Sequence, residues 1–104
     1  AGFCQPIAFS MCEIDISSGQ MVKGVPRDAV FNIQLPQIFD RSVLLSAHIH
    51  SKEIGTMFTQ DAIMVVEMTG EPVRALSGST TNLKVTTPED FLVSDTLLEK
   101  VNLL

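Results

Sequence analysis

Apolar and polar positions alternate most regularly over residues 11–16. There Cys12, Ile14 and Ile16 fall on one side and Glu13 and Asp15 on the other. A period of two is the signature of a strand with one face against something apolar. The polar stretch Ser17-Ser18-Gly19-Gln20 supplies a turn, and residues 21–25 return, so the pattern predicts a β-hairpin arm over about residues 10–26. Ahead of it, residues 3–9 read as a mostly buried strand, with Pro6 near an edge or a strand start. Residues 30–34 read as a further strand stopped by Pro36.

The period then lengthens. Asp40 is placed to cap a helix running to about His50, with Val43, Leu44 and Ala47 on its inner face. Thr59 is placed to cap a second helix that packs Ala62, Ile63, Val65 and Val66 and stops at Gly70. Residues 72–76 predict a short strand, 77–81 a polar loop and 82–86 another extended piece. Thr87-Pro88-Glu89-Asp90 is the sharpest local signal. A hydroxyl at the cap, a proline where no backbone donor is needed and two acids in the first turn all favour a helix start. That last helix is expected to run to the C-terminus with Val93, Leu97 and Val101 on one stripe. Strands followed by helices interleaved with short strands make an α/β chain, one that begins as if in the middle of a sheet.

Composition narrows the functions open to the chain. Its 104 residues suffice for one domain with one modest core, and 45% hydrophobic content is that of a folded protein. Twelve acidic against seven basic residues give a net charge of -5, and the bases are scattered, which argues against a nucleic-acid surface. The longest apolar run covers residues 62–66, far below the roughly 20 residues of a membrane span, so a soluble chain is expected. The start shows no secretory pattern and no initiator Met, which leads us to expect a fragment or a processed start. Cys4 and Cys12 have no metal-ligand spacing. They read as two reduced, partly buried thiols in a cytosolic protein, a single disulfide being the other arrangement open to them.

Three ordered stretches carry a resemblance: Val25-Pro26-Arg27-Asp28 with Gln34-Leu35-Pro36-Gln37-Ile38-Phe39, then Thr59-Gln60-Asp61-Ala62, then Asn82-Leu83-Lys84-Val85-Thr86-Thr87-Pro88-Glu89-Asp90. Together they resemble the 2-C-methyl-D-erythritol 4-phosphate cytidylyltransferase family over nearly the whole chain. The related ribitol-5-phosphate cytidylyltransferases share the layout. The resemblance implies an α/β fold: the C-terminal portion of a Rossmann-like, three-layer nucleotidyltransferase with a β-hairpin dimerisation arm. It covers residues 1–104 as a single partial domain, the acceptor-binding and dimerisation half. The family's N-terminal Gly-rich nucleotide loop has no counterpart in these residues.

The family activity so implied is transfer of a cytidylyl group from CTP to a sugar-alcohol phosphate, with Mg²⁺ and loss of pyrophosphate. Carried over position by position, Arg27 and Lys84 hold the acceptor phosphate, and Ser10 stands where the family commonly has a Thr that helps hold it. Arg offers a planar fork of donors and Lys a compact point charge. The resemblance also implies a homodimer through the arm, with Ser10 and Arg27 able to serve the neighbouring subunit. It implies a cytoplasmic enzyme, or a plastid one in a plant-type source, with Mg²⁺ ligands outside this chain. Three positions depart from the family pattern: Phe9 for an Asp, Leu35 for a Thr and Gln60 for an acid. With the missing nucleotide loop, they leave a second reading, a non-catalytic interaction module that keeps the arm.

Each marked residue also has a plainer reading. Arg27 beside Asp28 is, by itself, a surface charge next to a turn. Lys84 lies in an acid-free stretch over residues 72–87 and is, by itself, a solvated lysine on an edge strand. His48 and His50 are two apart on a helix and point to different faces, so they are poor co-ligands. Asp61, Glu89 and Asp90 are accounted for by helix-start stabilisation.

Overall fold

The computed structural model describes residues 1–101, and of Val101 only its place in a helix. Five strands and three helices follow one another as β1 (Gly2–Pro6), β2 (Met11–Asp15), β3 (Gln20–Val25), β4 (Phe31–Gln37), α1 (Arg41–Ile54), α2 (Asp61–Thr69), β5 (Ala75–Ser77) and α3 (Pro88–Val101). A three-stranded sheet has the order β4-β1-β5, so the first strand of the chain takes the centre. β1 pairs antiparallel with β4 and parallel with β5.

Pro36 does not stop β4, contrary to the sequence expectation. The register jumps from Gly2 opposite Gln37 to Cys4 opposite Ile33, which places Leu35 and Pro36 in an irregularity. A proline costs no ladder hydrogen bond where the ladder is already interrupted. Pro6 closes β1 rather than opening it, and the strand stops short of residues 7–9.

The arm forms as the alternation predicts, from β2 and β3 paired antiparallel. Gly19, at φ 70°, takes the left-handed turn position. The Asp15 carboxylate accepts from the Ser17 N–H at 3.0 Å and the Ser17 hydroxyl at 2.7 Å, closing the turn. Lys23 pairs with Glu13 across the arm at 3.3 Å. Every residue of β2 is exposed, and Cys12 with them, where partial burial had been expected. Both cysteines are free.

The small core lies between α1 and α2, where Ala47, Met64 and Val65 are buried against Phe39, Val43, Leu44 and Phe58. Asp40 caps α1, its carboxylate accepting from the Ser42 N–H at 3.0 Å. α1 runs four residues past His50 because its stop is Gly55, left-handed at φ 73°. Gly70 stops α2 as expected. The cap of α2 is Gln60, not Thr59, and it makes no side-chain capping bond. Its packing also differs: Met64 is buried, while Ile63 and Val66 stay partly exposed beside the sheet. An almost wholly apolar helix has no sequence cue to which side packs.

α3 starts as its four-residue signal predicts. The Asp90 N–H donates to the Thr87 hydroxyl at 3.2 Å, and the Asp90 carboxylate accepts from the Thr86 and Thr87 N–H groups at 3.1 and 3.0 Å. Phe91, Leu92 and Val93 on it are exposed. The expected side-chain stripe through Val101 and the helix end over residues 102–104 lie outside the described residues.

The chain is spread out. Its radius of gyration is 17.0 Å, against about 13 Å for a compact domain of 100 residues. Its accessible surface is 8339 Å², against about 5,700 Å² for a compact monomer of this mass. The difference is the size of a large protein interface.

Candidate acceptor site

A cleft of about 780 Å³ opens between the end of β1, β4 and the segment that leads into α3. Phe9, Ile33, Leu35 and Leu83 give it apolar walls, and Gln34, Asn82 and Lys84 give it polar ones. Lys84 also lines an adjoining cleft of about 580 Å³ with Leu35, Gln60 and Thr59. Leu35, Gln60 and Lys84 thus stand on the ridge shared by both hollows.

Residues 82–86 form no strand, although their apolar–polar pattern suggested an extended piece. Among the described residues no strand pairs with them. Side chains hold them instead. Asn82 Nδ2 donates to the Leu35 carbonyl at 2.6 Å, and the Thr86 hydroxyl donates to the Lys84 carbonyl at 3.3 Å. Lys84 makes no ion pair among the described residues, so its charge is open to an anion. Lys84 is exposed at the cleft, where its ammonium can meet an anion from solvent, and Asp90 lines the same cleft.

Arg27 lies at the root of the arm. Its Nη1 donates to the Ala8 carbonyl at 3.2 Å, and Ala8 lines the Lys84 cleft. Arg27 and Ser10 stand beside that cleft rather than in its lining, Ser10 next in sequence to the lining residue Phe9. Arg27 makes no ion pair with Asp28 or any other described acid, which leaves most of its donors uncommitted.

Three carboxylates are held below the ordinary value of 3.8. For Asp90 the Thr87 and then the Thr86 backbone N–H are the cause. For Asp15 and Asp40 the cause is first the hydroxyl of Ser17 or Ser42 and then its backbone N–H. All three accept hydrogen bonds that cap helices or close a turn, which favours their charged form. His48 lies 3.8 Å from Asp61, and His50 Nδ1 lies 2.9 Å from the Met68 carbonyl, so the two rings serve different neighbours. Among the described residues no three His, Cys, Asp or Glu side chains converge as metal ligands. No described helix is long and apolar enough to cross a membrane.

The sequence reading placed Gln34, Gln37 and Asn82 in the motif stretches but gave them no role. Gln34 and Gln37 lie in β4, and their amides bond to residues far along the chain, which local pattern does not reveal.

Residues 6–100 match the family model described as 2-C-methyl-D-erythritol 4-phosphate cytidylyltransferase. A relative of that name from Clostridium acetobutylicum is 39% identical over 88 residues, which is 85% of this chain and 38% of the relative. One from Bacillus pumilus is 33% identical over 81% of this chain and 37% of its own length. The crystal structure of the enzyme of that name from Thermus thermophilus superposes with a TM-score of 0.79 at 26% identity, over 94% of this chain and 47% of that one. The mixed α/β fold is therefore that of part of a Rossmann-like cytidylyltransferase. The chain spans well under half the length of the relatives it matches.

Proposed function

Since the chain belongs to the 2-C-methyl-D-erythritol 4-phosphate cytidylyltransferase family, we propose that it is the acceptor-binding and dimerisation half of a CTP-dependent cytidylyltransferase. The complete enzyme transfers CMP from CTP to 2-C-methyl-D-erythritol 4-phosphate. The observation that carries this reading is Lys84: an ammonium at a cleft, without an ion pair among the described residues, inside the Asn-Leu-Lys-Val-Thr-Thr-Pro-Glu-Asp block.

An oxygen of the acceptor phosphate attacks the α-phosphorus of CTP. The new P–O bond forms as the bond to the β-phosphate oxygen breaks, and pyrophosphate leaves. Both partners are anions, so the work of this half is to hold one against the other. Lys84 binds the acceptor phosphate as a point charge. Arg27 and Ser10 add directed donors. In this proposal the arm carries the two across to serve the Lys84 site of the partner subunit, as the family resemblance implies. The exposure of Ile14, Ile16, Met21 and Val22 on that arm supports a dimer, since an isolated two-stranded ribbon cannot cover them.

Mg²⁺, when bound, neutralises triphosphate charge. No group of three acidic, His or Cys side chains converges among the described residues, and in this proposal the Mg²⁺ ligands belong to the nucleotide-binding half, as the family resemblance implies. That half, the CTP site and a cytoplasmic setting are part of the same proposal. The test is release of pyrophosphate by the full-length protein with CTP and Mg²⁺. Release with 2-C-methyl-D-erythritol 4-phosphate is expected. Release with ribitol 5-phosphate alone would move the acceptor to that sugar alcohol, and none with either would leave the chain a non-catalytic dimer module.

A further inference from the structure

We propose that Gln34 and Asn82 are positioning residues that set Lys84 at the cleft by clamping its loop onto β4. The inference rests on the reading of Lys84 as the phosphate-binding cation. A lysine in a segment without strand or helix would sweep over solvent unless something held its backbone.

Three hydrogen bonds from one side chain do this. Gln34 Nε2 donates to the Ser79 carbonyl at 2.9 Å and to the Asn82 carbonyl at 3.3 Å, and Gln34 Oε1 accepts from the Ser79 N–H at 3.3 Å. A glutamine amide has the donor and acceptor of a peptide group. Here it stands in for the strand that residues 79–82 lack once β5 ends at Ser77. The contact is reciprocal, because Asn82 Nδ2 donates back to the Leu35 carbonyl of β4. At the other end, the Thr86 and Thr87 N–H groups are fixed by Asp90. Lys84 sits between the two anchors.

Gly78 makes the clamp possible. A Cβ at that position would overlap Gln34 Oε1 and stand 3.3 Å from the Cys4 carbonyl oxygen. Alanine there must displace the Gln34 amide, the more yielding of the two. Gly78→Ala therefore opens the clamp while leaving Gln34 in the sequence.

Gln34 and Asn82 also line the cleft, so direct contact with the acceptor is the competing explanation. A double-mutant cycle in the full-length cytidylyltransferase separates the two, read as KM for acceptor and for CTP. Gln34→Leu is expected to raise the acceptor KM roughly tenfold and leave the CTP KM unchanged. In a Lys84→Met background it is expected to add less than about twofold, because the group it positions is gone. Gly78→Ala should reproduce the Gln34→Leu profile, and Gln34→Ala with Gly78→Ala should be no worse than Gly78→Ala alone. A Gln34→Leu effect that multiplies in full onto Lys84→Met overturns the positioning role while Lys84 stands. An acceptor KM unchanged by Lys84→Met itself overturns the Lys84 reading, and the inference with it.

Discussion

The backbone N–H of Ala62 donates to Gln37 Oε1 at 3.2 Å, so a β4 side chain caps the helix that Gln60 leaves uncapped. The same Gln37 amide donates to Gln60 Oε1 at 2.9 Å, which fixes Gln60 between the two clefts. Gln37→Leu removes a half-buried hydrogen bond at a helix start, a loss of about 1 kcal/mol. The expected readout is amide exchange at Ala62 about fivefold faster, with exchange in α1 unchanged. Unchanged protection at Ala62 would show that Gln37 does not cap α2.

Acid should loosen the start of α3 first by way of Asp90. Its pKa is lowered from 3.8 by the Thr87 and Thr86 N–H groups. A lowered folded value means the stabilisation is present above 3.8 and is lost as pH falls through the lower folded value. The Thr86 and Thr87 amide shifts are expected to titrate with a midpoint below 3.8 and to stop titrating in Asp90→Asn. A midpoint at or above 3.8 would contradict the cap.

What the sequence disclosed was whatever neighbouring residues decide. Thr87, Pro88 and Asp90 lie within one turn of each other, and their helix start was legible to the residue. So were the Asp40 cap, the Gly70 stop and the arm with its Gly19 turn. Gly55 was as plain a signal as Gly70, yet the expected end fell at His50, four residues short of the observed one. The rest depends on distant partners. The cap of α2 comes from Gln37, the survival of β4 through Pro36 comes from the irregular pairing with β1, and residues 82–86 are held by Gln34, Leu35 and Asp90 rather than by a strand. At the site, Arg27 and Lys84 were picked out by motif alone. That Arg27 reaches the rim of the Lys84 cleft through the Ala8 carbonyl follows only from where the arm root lies.

The arm carries the dimer in this account. Ile14→Lys puts a charge on the exposed apolar face of β2 without touching the Lys23–Glu13 pair. The expected result in light scattering is a shift from dimer to monomer at micromolar concentration. A mutant that stays dimeric would place the interface elsewhere.

The central claim, that one subunit's arm completes the Lys84 site of its partner, is tested most directly by mixing two variants of the full-length enzyme, each weakened in acceptor binding, at an acceptor concentration where each alone turns over negligibly. Lys84→Met and Arg27→Ala homodimers each lose one phosphate-binding cation from both sites. After subunit exchange, each mixed dimer has one site with both defects and one with neither, so activity should return to roughly a quarter of wild type. If Arg27 instead serves its own chain, every site in the mixed dimer keeps one defect, and mixing will restore nothing.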